Sequence, residues 1–473
     1  MMRRFALALA LLGTPLAAAG FPPSPDDQLV QQGRPLLARE HPDVMRHMAR
    51  NDGFGGPSSP TIARAMLSEA PELVAEARAK MVIEPHGPGL WLIRFPYVNV
   101  AVLETRDSLV LFDSGYASIG VVLRDVLPTL SKKPLKTIIL SHTHVDHAYG
   151  ARALVRQTPR PTVIASAEMK AAIATDLRLG GSIARYNNQP LALQPTDISQ
   201  VVVPDVTFEG RKTFHIGGEE ITLIHAPGET EDQIWMWLPK RKAIVTADYV
   251  QGFLPNAGNG KRMQRYVEEW AAAMHEMASL KPEIMLPMHG AAMTGSAPIS
   301  QTLTTYASAL DYIVAQTVNR LNAGDRKDAI AASIDWPDRF AKDPLLDPQY
   351  NRPEDIARMV MKRWTGWWDD VPSHMAALPF DAEAQEAVHL AGGIDALDAR
   401  ARALLPNQPM LAARLADWAY YGAPNDPKAL RLAIDVYLAR LSEPNMPVQE
   451  GLIYFDMAAK ARARLAQMES AKP

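Results

Sequence analysis

The spacing of apolar residues changes rhythm twice along the chain. Between the linker prolines Pro22, Pro23 and Pro25 and about Lys80, two weak helical patterns are broken by Asn51-Asp52-Gly53-Phe54-Gly55-Gly56-Pro57. These predict a packed N-terminal extension over residues 21–80. From Met81 the texture becomes β-rich, with short runs at 90–95, 98–103, 109–112, 137–140, 162–165, 221–225, 234–238, 243–247 and 284–288, and helical stretches between several of them. Beyond Ser300 the strand signals stop. Leu303, Tyr306, Leu310, Ile313 or Val314, Val318 and Leu321 recur at helical spacing up to Gly324, a C-terminal stop signal. Further helices are predicted over 356–368, 382–390, 394–405, 410–420, 428–441 and 452–465. The expected architecture is an α/β domain over 81–300 followed by an all-α domain over 301–473.

With 473 residues and 47% hydrophobic composition the chain can build several cores, and the usual domain size suggests two or three domains. A formal net charge of −3 gives no electrostatic reason to expect a nucleic acid partner. Met1-Met2-Arg3-Arg4, the apolar run from Phe5 to Leu12 and Leu16-Ala17-Ala18-Ala19-Gly20 match the three regions of a signal peptide, predicting cleavage near Ala19 and a periplasmic or secreted protein. That run is short for a bilayer span, and no later segment reads as membrane-spanning. The chain has no cysteine, so it has no disulfides and any metal site must use His, Asp and Glu.

Candidate ligands of this kind stand together in Ser141-His142-Thr143-His144-Val145-Asp146-His147, directly after an apolar strand signal. His142 and His144 can aim imidazoles at one ion while Asp146 and His147 turn toward a neighbouring one, a donor set that suits zinc. The ends of later strands supply more: Pro227-Gly228-Glu229 after His225, Thr246-Ala247-Asp248-Tyr249, and Pro287-Met288-His289-Gly290. His225 itself reads as a strand-end residue with a local partner, and His41, His47, His86, His215, His275, His374 and His389 lie in no motif. Trp364, Trp367 and Trp368 read as core or interface packing, and Tyr149 as packing.

With Phe112-Asp113-Ser114-Gly115, these residues resemble the metallo-β-lactamase superfamily, whose two-sheet αββα sandwich gathers metal ligands from loops at one sheet edge. The stretch from Pro227-Gly228-Glu229 to Phe253-Leu254-Pro255-Asn256 is similar to the alkylsulfatase branch. The tail, with residues 306–324, 364–368 and Ala391-Gly392-Gly393, resembles its dimerisation domain, which implies a homodimer. The resemblance implies two zinc ions: His142, His144 and Glu229 on one, Asp146, His147 and His289 on the other, and Asp248 bridging. Most superfamily members have His where Glu229 stands, and the acidic residue marks the alkylsulfatases. Their bridging residue is Glu, however, whereas Asp248 follows the wider superfamily.

The implied mechanism is hydrolysis by a hydroxide bridging the zinc ions and oriented by Asp146 and Asp248, with Asp113 accepting a hydrogen bond from a liganding histidine. Two zinc ions against Asp146, Glu229, Asp248 and that hydroxide give a near-neutral centre, better suited to a monoanionic sulfate ester than to a dianionic phosphate. Donors for the sulfate head are sought in Asn256-Ala257-Gly258-Asn259-Gly260-Lys261-Arg262, where Asn256 matches the family and the family's Arg falls on Lys261 or Arg262. Arg185 and Tyr186 are further substrate-lining candidates. Several members add a sterol-carrier-like domain; its absence before Pro473 keeps shorter or bulkier esters open beside long alkyl chains. The alternatives are another hydrolysis on the same fold, of a lactone, β-lactam or phosphodiester, and a non-catalytic metal-binding scaffold.

Overall fold

The computed structural model describes residues 20–51 and 60–471. The leader over 1–20 therefore falls almost wholly outside the described residues, as does most of the Gly-rich break at 51–57.

Among the described residues thirteen strands form two sheets: β1 Val82–Pro85, β2 Leu90–Arg94, β3 Asn99–Glu104, β4 Leu109–Phe112, β5 Leu135–Ile139, β6 Thr162–Ser166, β7 Val206–Phe208, β8 Arg211–Ile216, β9 Glu219–His225, β10 Ile234–Leu238, β11 Ala243–Val245, β12 Ile284–Leu286 and β13 Met293–Thr294. The first sheet runs in simple sequence order from β1 to β7, and the second in the order β13-β12-β11-β10-β9-β8. Strands β4, β5 and β6 pair in parallel, as do β11 and β12, and the remaining neighbours are antiparallel except β6 and β7, which are also parallel. The central strands are buried on both faces, which explains their continuous Val, Ile and Leu runs. Helices Ala117–Leu130, Val267–Ser279 and Ser296–Ala323 bury their apolar stripes in the same core. This is the α/β sandwich expected from the sequence, followed by a helical C-terminal region.

Four strands lay outside the sequence expectation: β1, β7, β8 and the two-residue β13. All four are sheet edges with mostly exposed or half-buried residues, such as Arg211, Lys212 and Thr213. An edge strand without a fully buried face carries little hydrophobic signal.

The buried core of the sheets continues through helix Ser296–Ala323, closed by Gly324 in the left-handed conformation, and on to Met361 in helix Pro353–Trp364. A second core joins Leu37 to residues between Leu397 and Leu465. Helix Pro25–Glu40 lies against the last helix, Val448–Ser470, through Arg34–Asp456 (2.6 Å), Lys460–Asp26 (2.7 Å) and Arg462–Glu40 (2.8 Å). Gly33 permits that approach, because a Cβ there would collide with the Ala459 backbone. Among the described residues no helix is long and apolar enough to cross a membrane.

Candidate metal centre

Each expected ligand stands just beyond the end of a strand, where the ladder stops and side chains turn into the cleft between the sheets. His142 to His147 follow β5, Glu229 lies in the β9–β10 turn, Asp248 follows β11 and His289 follows β12. The two sheets are locked at this edge. Ile234 N donates to Ser141 O (2.9 Å), and Asn99 Nδ2 donates to Pro287 O (2.9 Å) and Gly290 O (2.8 Å). Gly150, packed on the Ser114 backbone, has no room for a Cβ and so allows the turn after His147 to close on the β4 loop.

The donors converge in two groups, His142 with His144 and Asp248, and Asp146 with His147 and His289, the ligand atoms of each lying within 4.8 Å of one another. Asp248 faces both. Its Oδ2 is 3.8 Å from His142 Nε2, while Oδ1 is 3.1 Å from His147 Nε2 and 3.4 Å from His289 Nε2. Asp146 Oδ2 is 3.5 Å from His147 Nε2 and 3.6 Å from His289 Nε2.

Surrounding groups fix which ring atom faces inward. Asp113 Oδ2 accepts from His147 Nδ1 (2.8 Å), and the same carboxylate accepts from Ser141 N (2.7 Å) and Ser141 Oγ (2.8 Å). Having donated to Asp113, Ser141 Oγ is left to accept from His142 Nδ1 (2.9 Å), and Tyr97 O accepts from His289 Nδ1 (2.8 Å). Three rings thus turn Nε2 inward, whereas His144 presents Nδ1, 2.9 Å from His142 Nε2. His147 Nε2 and Asp248 Oδ1 are buried without a hydrogen-bond partner. Buried atoms in that position, among imidazoles and carboxylates only, fit divalent cations such as zinc.

The electrostatics point the same way. Burial, then the neighbouring His147 and His144, hold His142 well below the usual histidine range. Burial, with Arg262 and Arg265, does the same to His144. His147 is opposed by burial, but Asp248, Asp146 and Asp113 hold it well above that range. Burial works against the charge of Asp248, yet His147 and His289 keep its carboxyl well below the usual value. Asp113 is raised by burial, although His147 and Ser141 pull against it.

Glu229 lies 3.9 Å from His144 Nδ1, at the first group, but its carboxylate has other partners. Arg265, 1% exposed, meets Oε1 at 2.7 Å, Gln251 Nε2 donates to Oε2 (2.8 Å) and Asn256 Nδ2 reaches Oε1 (3.3 Å). Arg265 escaped the sequence reading, which stopped at Arg262. With its charge included, the neutral balance expected from the sequence for two zinc ions would become a surplus of one positive charge.

A cavity of about 530 Å³ opens from the two groups and is lined by Asn256, Lys261, Arg262 and Tyr186 among others. The two candidate cations diverge. The charges acting on Arg262 are those of Tyr97, Asp146 and Asp176, next to the metal-ligand groups. Lys261, lowered to about 8 by burial, senses Asp456, the adjacent Arg262 and Arg34, two of them at the helix pair. Arg262 has no ion-pair partner among the described residues. Tyr186 stands at the rim, 46% exposed. Arg185 is a correction to the sequence reading. Its guanidinium is turned outward onto Asp27 (2.9 Å) and Gly181 O (3.3 Å), so it does not line the cavity. Its neighbour on the helix faces inward because consecutive helical residues point about 100° apart.

Residues 93–289 match the metallo-beta-lactamase superfamily, and residues 326–463 match the alkyl sulfatase dimerisation family. The chain is 26% identical over 348 residues to a linear primary-alkylsulfatase of Pseudomonas sp., covering 67% of this chain and 65% of that protein. It is 22% identical over 340 residues to an alkyl/aryl-sulfatase of Saccharomyces cerevisiae, covering 64% and 52%. The match therefore spans less than two thirds of either relative. The structure of the stereoselective inverting sec-alkylsulfatase Pisa1 from Pseudomonas sp. shares the fold, with a TM-score of 0.71 and 19% identity over 85% of this chain and 70% of that one.

Proposed function

From a chain that carries a metallo-β-lactamase superfamily domain and an alkyl sulfatase dimerisation domain, we propose a metal-dependent hydrolase of sulfate esters, with alkyl sulfates as its substrates. The observation that carries the reading is the uncommitted Arg262 in the same cavity as two groups of imidazole and carboxylate donors that share Asp248. His142, His144, Asp248 and Glu229 would hold one zinc ion, and Asp146, His147, His289 and Asp248 the other. Two zinc ions so held would supply Lewis acidity and lower the pKa of water. Asp146 and Asp248 orient the attacking water and receive its proton, while Arg262, with Asn256 nearby, binds the sulfate head through charge-assisted hydrogen bonds. The apolar wall of the cavity, with Val145, Leu179, Ile183 and Leu452, takes the alkyl part. Leader-directed export and a homodimer formed through the helical region belong to the same reading.

The aspartate at the shared position favours a second reading, in which the same centre hydrolyses a lactone, β-lactam or phosphodiester. The test is zinc content by elemental analysis, together with hydrolysis of an alkyl sulfate, a lactone, a β-lactam and bis(4-nitrophenyl) phosphate. The expected result is about two zinc ions per chain and turnover of the sulfate. Turnover of the other classes with none of the sulfate would overturn the first reading in favour of the second.

A further inference from the structure

Arg185 turns away from the cavity toward the N-terminal extension, and the residues it meets there form a strap behind the cavity wall. Helix Met169–Asn187 supplies that wall with Leu179, Ile183 and Tyr186. Its C-terminal half is poorly anchored by its own side chains. From Thr175 onward its buried residues are Gly180, Gly181 and Ala184, none of which has a large side chain. Two consecutive glycines in a helix interior are costly, because each is a weaker helix former than alanine. The packing supplies the reason for them. Phe21, half-buried, lies in the notch they leave, and a Cβ on either glycine would come within 2.9 Å of its ring. Phe21 is not among the residues that line the cavity, so it meets the wall helix and not the cavity itself.

The strap is tied on both sides of that ring. Phe21 N donates to Leu191 O (3.1 Å), in the 3₁₀ turn that follows the wall helix. Arg185 Nη2 donates to Pro22 O (3.4 Å), and Arg185 Nε to Asp27 Oδ2 (2.9 Å). The same Asp27 oxygen accepts from Ser24 N (2.7 Å), closing the capping box that starts helix Pro25–Glu40. Further along that helix, Arg34 Nη2 donates to Asn188 Oδ1 (2.8 Å), on the left-handed cap of the wall helix, and to Asp456 Oδ1 (2.6 Å) on the last helix. Leu452, one turn before Asp456, lines the same cavity. Two helices that contribute to the apolar wall are thus tied to one N-terminal segment.

We propose that residues 21–34 fix the position of the cavity's apolar wall, with Phe21 the positioning residue that sets how well a long alkyl chain binds. The inference rests on the sulfate-ester reading and concerns the alkyl end of that substrate. With the ring in its notch, the C-terminal half of the wall helix has one position, and Leu179, Ile183 and Tyr186 present a preformed apolar surface. Without it the substrate itself must order the helix, and the affinity falls by the free energy of that ordering. A chain too short to reach the wall loses little. The metal-ligand groups are carried on other elements, so the loss falls on KM and not on kcat.

The test compares Phe21→Ala, Phe21→Leu and Gly181→Ala with the zinc-loaded wild type on decyl sulfate and butyl sulfate, with hydrogen exchange of residues 179–187 followed by mass spectrometry. Phe21→Ala should raise KM for decyl sulfate about 10-fold and leave kcat, and both constants for butyl sulfate, within about 2-fold. Exchange across 179–187 should speed up. Phe21→Leu, which refills the notch, should recover most of the affinity. Gly181→Ala should act like Phe21→Ala, because its methyl displaces the ring, although alanine is the better helix former; a helix merely short of stability would bind the long chain more tightly instead. Equal losses on both esters, a loss confined to kcat, or unchanged exchange would overturn the inference and leave the sulfatase reading intact. A wild type inert on both sulfates would remove that reading, and the exchange rates would then decide whether the strap holds the wall.

Discussion

The ion pair between Arg265 and Glu229 gives a prediction whose size follows from the geometry. Both side chains are nearly inaccessible, 1% and 5% exposed, and meet at 2.7 Å. Replacing Arg265 with Met keeps an unbranched side chain but leaves a buried carboxylate without its cation. Breaking a buried pair from one side costs about 3–5 kcal/mol. Here Gln251 and Asn256 still donate to Glu229, which places the cost near the lower figure of about 3 kcal/mol. At roughly 2 °C per kcal/mol for a domain of this size, the metal-free melting temperature should fall by about 6 °C. With zinc loaded, the ion itself compensates Glu229, and the loss should shrink to about 1 kcal/mol. The thermodynamic cycle then requires Arg265→Met to bind zinc more tightly, by about 2 kcal/mol or roughly 30-fold. Differential scanning calorimetry of chelator-treated and zinc-loaded protein, with competition against a chromophoric chelator, measures both quantities. An equal melting loss in the two states with unchanged zinc affinity would refute the argument that Arg265 holds a ligand's charge until the metal arrives.

Asp113→Asn should weaken zinc binding about 10–100-fold in the same chelator competition, because it removes the acceptor that fixes the His147 ring; unchanged affinity would count against that role. Arg262→Ala should lower kcat/KM for an alkyl sulfate about 10–100-fold, the loss of a charged hydrogen bond, and Lys261→Ala by under about 3-fold; the reverse order would show that Lys261 meets the sulfate. Burial lifts the folded-state pKa of Asp232 to about 7 from 3.8 for the ordinary side chain, so between these values the folded protein holds a proton that the unfolded chain has lost. Stability therefore falls as pH rises through that window, by up to about 4 kcal/mol. Asp232→Asn should melt higher than wild type at pH 8, with the gap closing by pH 4, and a gap independent of pH would contradict the burial argument. Sedimentation at micromolar concentration should give a dimer, and a monomer would remove the proposed role of the helical region.

The sequence made the ligand groups legible because each donor follows an apolar strand, and strand ends are where a sheet exposes side chains to a cleft. His142 to His147, Asp248 and His289 could be found that way. Asp113 could too, from the turn-forming Asp-Ser-Gly after β4. Arg265 could not, since an arginine four residues beyond Lys261 carries no sign of its partner until the β9–β10 turn folds against it. Arg185 and Tyr186 show the limit from the other side. Adjacent in sequence, they are sent to different faces by the helical turn, a distinction that a motif resemblance does not carry.

The pairing of helix Pro25–Glu40 with helix Val448–Ser470 sets a condition on how the chain becomes a protein. Helix Pro25–Glu40 precedes its partner by about 400 residues, so at about 5–20 residues per second the two emerge roughly 20–90 s apart. Leu37 waits through that interval with its apolar face uncovered, and the second core cannot close before helix Val448–Ser470 has been made. Since Gln449 and Leu452 of the late helix also line the cavity, that cavity is completed only once this helix has been synthesised.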